Sequence, residues 1–230
     1  MAQLDPQTNI INKRPWPLRW WAILLWIFLA LVITVFTAAF FAAKNYQSKQ
    51  LSSVASGNNY SDTEGQDNYW FGTSSPKITI VEFSDFSCPN SKSSFSKIRS
   101  LGSKYQDDVK IVFRDYPNIS EQSLDLALAA RCAGQQGKFW PMHDKLFQNQ
   151  GKIASTSDLV KLAEQVGVKP YGFTKCMASQ GEQYKILANL EYADKIGVKG
   201  TPTWLINGTK VDGDLPLDIW QKIIDDLIKK

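Results

Sequence analysis

The stretch Ile78–Lys92, ITIVEFSDFSCPNSK, decides the fold. Ile78 to Phe83 is a short, β-branched, almost continuously apolar run, the signature of a strand covered on both faces. It breaks at Ser84-Asp85, and Pro89 then stands where the first turn of a helix tolerates proline. That places Cys88 at the N-cap of a helix running to about Gly102. Working outward, Val109 to Pro117, VKIVFRDYP, reads as a second strand closed by proline, which completes a β-α-β unit with a cysteine at its first strand-to-helix junction.

From about Ser120 to Ile196 the pattern turns helical. Leu124, Leu128 and Cys132 recur at helical spacing, Leu159, Leu162, Ala163 and Val166 mark a second helix, Phe173, Cys176 and Met177 a short third, and Ile186, Leu190 and Ala193 a longer fourth. After Gly200, TPTWLINGTKV predicts two short strands joined by Asn207-Gly208, a favoured pair for a tight hairpin turn. An amphipathic helix carrying Ile219, Trp220, Ile223, Ile224, Leu227 and Ile228 on one face closes the chain. The order is β-α-β, helices, β-β-α, an α/β fold.

N-terminal to this domain, Trp20 to Ala43 contains 24 residues without a charge. As a helix they span about 36 Å, enough for a bilayer core of about 30 Å with some tilt. Lys13, Arg14 and Arg19 precede the stretch and Trp16, Trp20 and Trp21 flank it, so the positive-inside rule keeps residues 1–19 cytoplasmic and exports everything after Lys44. A cleaved secretory signal, cut near Thr37 to Ala39, has an apolar core of only about 7 to 15 residues, so the length favours an uncleaved anchor. Residues 44–75, rich in Ser, Asn, Gly and Gln, read as a flexible linker whose last part, NYWFG, is aromatic enough to dock on the domain that follows. The folded domain is placed at 76–230.

Composition narrows the function. The net charge of +4 is spread along the chain with no dense basic block, which argues against nucleic acid as a partner. A thiol at a helix N-terminus meets unpaired N–H groups and the positive end of the helix dipole, which favour an anionic sulfur, the nucleophile of disulfide exchange. Lys92 lies one turn on, and the Ser91 hydroxyl is placed to hydrogen-bond the sulfur. Glu82 shares a strand face with Ile78 and Ile80, so its carboxyl either points into an apolar layer below the cysteine and passes protons, or sits exposed at a solvated strand end. Of the three cysteines, Cys132 and Cys176 fall on apolar helix faces, either as buried thiols or as a pair that leaves Cys88 free. His143 is the only histidine and no second cysteine lies near Cys88 at zinc spacing, so neither a metal site nor a Cys-His hydrolase is expected. NIS at Asn118 and NGT at Asn207 match the glycosylation pattern, the second being better explained by the turn.

ITIVEFSDFSCPNSK, IVFRDYP, ALAARCAGQQGKFWPMHDKLF, EYADKIGVKGTPTWLING and the final helix together resemble the DsbA-like thiol:disulfide oxidoreductases of the thioredoxin superfamily, over about Asn68 to Lys230. The resemblance implies a thioredoxin-like fold with a helical insertion at about 118–180, and no cofactor. It implies a cis peptide at Thr201-Pro202, with these two residues facing the active sulfur and holding substrate backbone, and it assigns Pro89 and Asn90 to the same surface. It makes Glu82 a buried acid and Cys132–Cys176 a structural disulfide. The chain departs from the family at Ser91, where members usually carry the second cysteine of C-P-x-C, so Cys88 has no partner for an intramolecular disulfide. The expected activity is exchange through a single cysteine on exported proteins, with a small-molecule or protein thiol resolving the mixed disulfide. The alternative is a membrane-tethered, chaperone-like binding module on the same scaffold.

Overall fold

The computed structural model describes residues 20–56, 60 and 62–229. The cytoplasmic tail expected at 1–19 lies outside them. The chain divides into two compact units, Met1–Ser48 and Lys49–Lys230.

Helix α1 spans Trp20–Ser56. Its segment Ile23–Asn45 is long and apolar enough to cross a membrane. The helix continues past Ala43 into residues expected to form a flexible linker. Adding residues to an existing helix avoids the cost of nucleation, so a polar extension of an apolar helix persists where the same residues alone would not.

The second unit is built on a five-stranded sheet of order β1-β3-β2-β4-β5, from strands β1 (Tyr69–Gly72), β2 (Ile78–Ser84), β3 (Val109–Asp115), β4 (Thr203–Ile206) and β5 (Thr209–Asp212). β2 and β3 are parallel, joined by helix α2 (Pro89–Lys104), and the other pairings are antiparallel. Strand β1 falls inside the stretch expected to be linker, so the folded body begins before residue 76. The aromatic segment docks through backbone pairing, Tyr69 opposite Phe113 and Phe71 opposite Ile111, and Tyr69 stacks on Phe139 with ring centroids 4.1 Å apart. Composition missed the strand because its stability lies in the partner edge of β3.

Between β3 and β4 run five helices: α3 (Ser123–Gly134), α4 (Phe139–Gln148), α5 (Thr156–Gln165), α6 (Pro170–Ser179) and α7 (Gln183–Lys195). Helix α8 (Leu217–Ile228) ends the fold. The alternation of β2 divides the core. Ile78 and Ile80 join Ile98, Leu101, Trp204, Trp220 and Ile223 in a layer under α2 and α8, whereas Val81 and Phe83 face Ala193 and Val198. The helical insertion packs around its own core, reaching the sheet through Phe86 and Phe113. Cys132 and Cys176 are joined by a disulfide that ties α3 to α6. His143 is fully enclosed there, ringed by Phe86, Phe95, Phe113, Phe139, Trp140 and Phe147. Burial pushes its pKa down despite the adjacent Asp144 carboxylate at 2.9 Å.

The hairpin between β4 and β5 turns on Asn207 and Gly208, both at positive φ (47° and 82°). The Asn207 side chain accepts from Thr79 N at 2.8 Å and donates to Lys77 O at 3.3 Å. These bonds give the NGT segment a structural use.

Candidate active site

Among the described residues Cys88 is the only free cysteine. It occupies the N-cap of α2 with extended backbone angles (φ −80°, ψ 122°), and Pro89 follows at the start of the helix. The thiol is 4% exposed, while Pro89 and Asn90 are open to solvent. Its Sγ does not cap the helix but donates to Thr201 O at 3.1 Å. The Thr201-Pro202 peptide is cis and lies in the loop before β4, against the cysteine. That loop is braced from behind, with Gly213 N donating to Pro202 O at 2.8 Å and Thr203 Oγ1 donating to Gly200 O at 2.7 Å.

Glu82 is buried, on the face shared with Ile78 and Ile80, opposite Phe113 on β3 and Trp204 on β4. Its Oε1 has no hydrogen-bond partner. Burial, with the Asp214 charge adding to it and the nearby Ser84 hydroxyl opposing, pushes the carboxyl up to about 8. Asp214 behaves oppositely: burial raises it, but Lys97, Ser93 and Ser94 together hold its pKa below the usual carboxylate range. A salt bridge to Lys97 and a 2.7 Å bond from Ser94 Oγ fix it.

Ser91 is fully buried and its hydroxyl makes no hydrogen bond. The expected bond from Ser91 to the sulfur is absent, because Sγ points to the cis-proline loop instead. Lys92 supplies the first helical bond, its N donating to Cys88 O at 3.0 Å, and its side chain is half-buried one turn into α2. The structure therefore gathers Cys88, Pro89, Asn90, Ser91 and Lys92 at the head of α2 with Thr201 joined to the sulfur, and buries Glu82 in β2.

Two residues that sequence reasoning misses hold the loop. Asp85, 1% exposed, accepts from Ser87 N at 2.7 Å through Oδ1, and from Asn118 N and Ile119 N at 2.9 and 2.8 Å through Oδ2. Gln150, from the turn after α4, donates to Phe86 O and Cys88 O. The S-D-F run after an apolar strand signals a side-chain-stabilised turn, but nothing in the sequence marks Gln150, 62 residues beyond the cysteine. A groove of about 360 Å³ opens beside Pro89, between Ser87, Ser120, Gln122, Gln150 and Ile153. Among the described residues no cluster of His, Cys, Asp and Glu is arranged to hold a metal.

Comparison with known proteins agrees with this architecture. The thiol-disulfide exchange protein alpha-DsbA2 from Wolbachia pipientis superposes with a TM-score of 0.67 at 21% identity, over 80% of this chain and 98% of that one. The Na(+)/H(+) antiporter NhaA 1 of Salinispora arenicola is 31% identical over 143 residues, which cover 61% of this chain but only 22% of the antiporter. A Rickettsia bellii chain provisionally named a protein-disulfide oxidoreductase is 28% identical over 148 residues, 61% of this chain and 57% of that one. The chain thus spans between about a fifth and just over half of these curated relatives. A family model described as thioredoxin matches residues 64–226, starting just ahead of β1 and ending within α8. With more than half of its length matched, the chain belongs to the thioredoxin family.

Proposed function

We propose that this protein carries out thiol–disulfide exchange through Cys88 alone, on the extracytoplasmic side of a membrane to which residues 20–43 anchor it. The observation that carries the proposal is a free thiol at the N-cap of α2, 3.1 Å from the carbonyl that precedes a cis-proline. The Wolbachia and Rickettsia relatives support the reaction class by their names.

In the proposed cycle the Cys88 sulfur attacks one sulfur of a substrate disulfide. A mixed disulfide forms, the substrate S–S bond breaks, and the other substrate sulfur leaves as a thiolate that takes a proton. A substrate thiol or small thiol then attacks the mixed disulfide and releases Cys88. With a substrate thiol the net change is isomerisation; with two equivalents of small thiol it is reduction of the substrate and oxidation of that thiol.

Glu82 is assigned to proton transfer. With a pKa of about 8 it holds a proton at neutral pH to give a departing thiolate, and once ionised it accepts one from Cys88. Thr201 and Pro202 are assigned to holding substrate backbone, with exposed Pro89 and Asn90 beside them. Lys92 adds positive charge one turn away. Ser91, a buried hydroxyl without a partner, is placed one helical turn from the cysteine and has a donor to offer a sulfur that leaves Thr201 O. A second reading, a tethered module that binds cysteine-containing exported proteins without turnover, is favoured by Ser91, since no second thiol is present to resolve the adduct.

The test compares wild type with Cys88→Ser on a scrambled disulfide substrate in glutathione. Reshuffling well above the Cys88→Ser background supports exchange; activity equal to that background overturns it in favour of binding.

A further inference from the structure

The helical insertion reaches the backbone carbonyl of the nucleophile through the Gln150 side chain. Gln150 Nε2 donates to Phe86 O at 2.8 Å and to Cys88 O at 2.9 Å. Gly151 follows with a φ of +81°, a conformation that glycine adopts without strain. Cys88 O also receives the first helical bond, from Lys92 N at 3.0 Å, so both of its lone pairs are engaged. An N-cap residue needs extended backbone while the residues after it are helical, and that conformation is usually held by the cap's own side chain. Here the side chain makes no capping bond. The restraint comes from outside the helix, from Gln150 at the carbonyl and from Asp85, whose backbone oxygen accepts from Cys88 N at 3.0 Å.

We infer that Gln150 is a positioning residue for Cys88, through which the insertion sets the rate of the thiol's reaction with disulfides. Removing its amide leaves Phe86 O without that donor and frees one lone pair of Cys88 O. The Cys88 backbone then rotates more easily and Sγ spends less time facing the cis-proline loop. The loss falls on the reaction step, because a misplaced nucleophile lowers rate even when binding is intact. The inference rests on Cys88 being the nucleophile of the proposed function.

The test uses the full chain in detergent micelles and 2,2′-dipyridyl disulfide, a small disulfide that releases a chromophoric thione when a thiol attacks it. It carries no peptide backbone, so binding of substrate backbone does not enter the rate. The second-order rate is measured from pH 4 to 8 for wild type, Gln150→Ala and Gln150→Glu, with circular dichroism reporting folding. Gln150→Ala is expected to react about tenfold more slowly with its fold retained, the loss associated with a hydrogen bond or two. Gln150→Glu turns two donor contacts into repulsion when ionised. Two carbonyl oxygens facing the carboxyl favour its neutral form, so the variant's rate relative to wild type is expected to recover as pH falls from 8 toward 4, where the protonated carboxyl donates one bond again.

A Gln150→Ala rate equal to wild type overturns the inference. Should that variant fail to fold, a Gln150→Glu-to-wild-type rate ratio that stays flat across pH overturns it instead. A wild type no faster than Cys88→Ser refutes the proposed function rather than the role of Gln150.

Discussion

Replacing Glu82 by Gln tests the buried carboxyl, because it removes the charge while keeping the shape. The Glu82 pKa moves from 4.5 in an exposed setting to about 8 in the fold. Between those values the folded chain binds the extra proton and the unfolded chain does not, so stability falls as pH rises. At about 1.4 kcal/mol for each tenfold change in proton affinity, the move from 4.5 to about 8 amounts to roughly 5 kcal/mol by pH 9, a large share of a typical folding stability. The uncharged amide of the Glu82→Gln variant carries no such dependence. Urea denaturation of both chains in micelles, followed by circular dichroism from pH 4.5 to 9, should show a small difference at the acid end. The difference should then grow in favour of Glu82→Gln up to about pH 8 and level off. Taking the difference cancels the titration of every other group that behaves alike in both chains. Parallel curves across the range would refute a buried, proton-holding Glu82. The same variant should slow disulfide exchange near neutral pH, separating a stability gain from a functional loss.

Other perturbations follow from the same contacts. Arg131 and Asp115 form a buried ion pair, with Arg131 also donating to Asn68 Oδ1 at 2.6 Å, so Arg131→Met should cost about 3 to 5 kcal/mol in denaturation by leaving Asp115 unpaired. Replacing Cys132 and Cys176 together by Ala removes a cross-link between residues 44 apart in sequence, and should lower stability by about 4 kcal/mol while leaving the Cys88 thiol titratable. Burial depresses the His143 pKa, so the unfolded chain binds a proton first as pH falls. Stability should therefore decline below about pH 6.5, and less so in His143→Phe, as read by Tm against pH. Ser91→Cys should give a chain that forms its own disulfide and oxidises dithiol substrates, seen as loss of both thiols at positions 88 and 91 after mild oxidation.

Much of this architecture was legible in the sequence because it is local. The apolar run of β2, the proline after Cys88 and the Asn207-Gly208 turn each act within a few residues, and each element appears where its residues place it. Elements that depend on distant partners were not legible. Strand β1 owes its place to the edge of β3, and α4 has Pro141 in its first turn, where helix tolerates it but periodicity loses its signal. The position of Cys88 was readable from its flanks, whereas the direction of its sulfur was not. Spacing along α2 pointed to Ser91; the cis-proline loop, 113 residues away, supplies the acceptor instead. Gln150 was invisible for the same reason, since it holds the site through backbone carbonyls that any residue carries, and Asp85, marked as a turn residue by the S-D-F run, gave no sign of its reach to Asn118 and Ile119.

Intact-mass spectrometry of the full chain incubated with oxidised glutathione, before and after added reduced glutathione, tests most directly whether Cys88 alone exchanges disulfides. One glutathione adduct is expected, mapped to Cys88, that disappears when reduced glutathione is added and never forms in Cys88→Ser. A chain that remains unmodified under conditions in which a free cysteine peptide reacts would contradict exchange through Cys88.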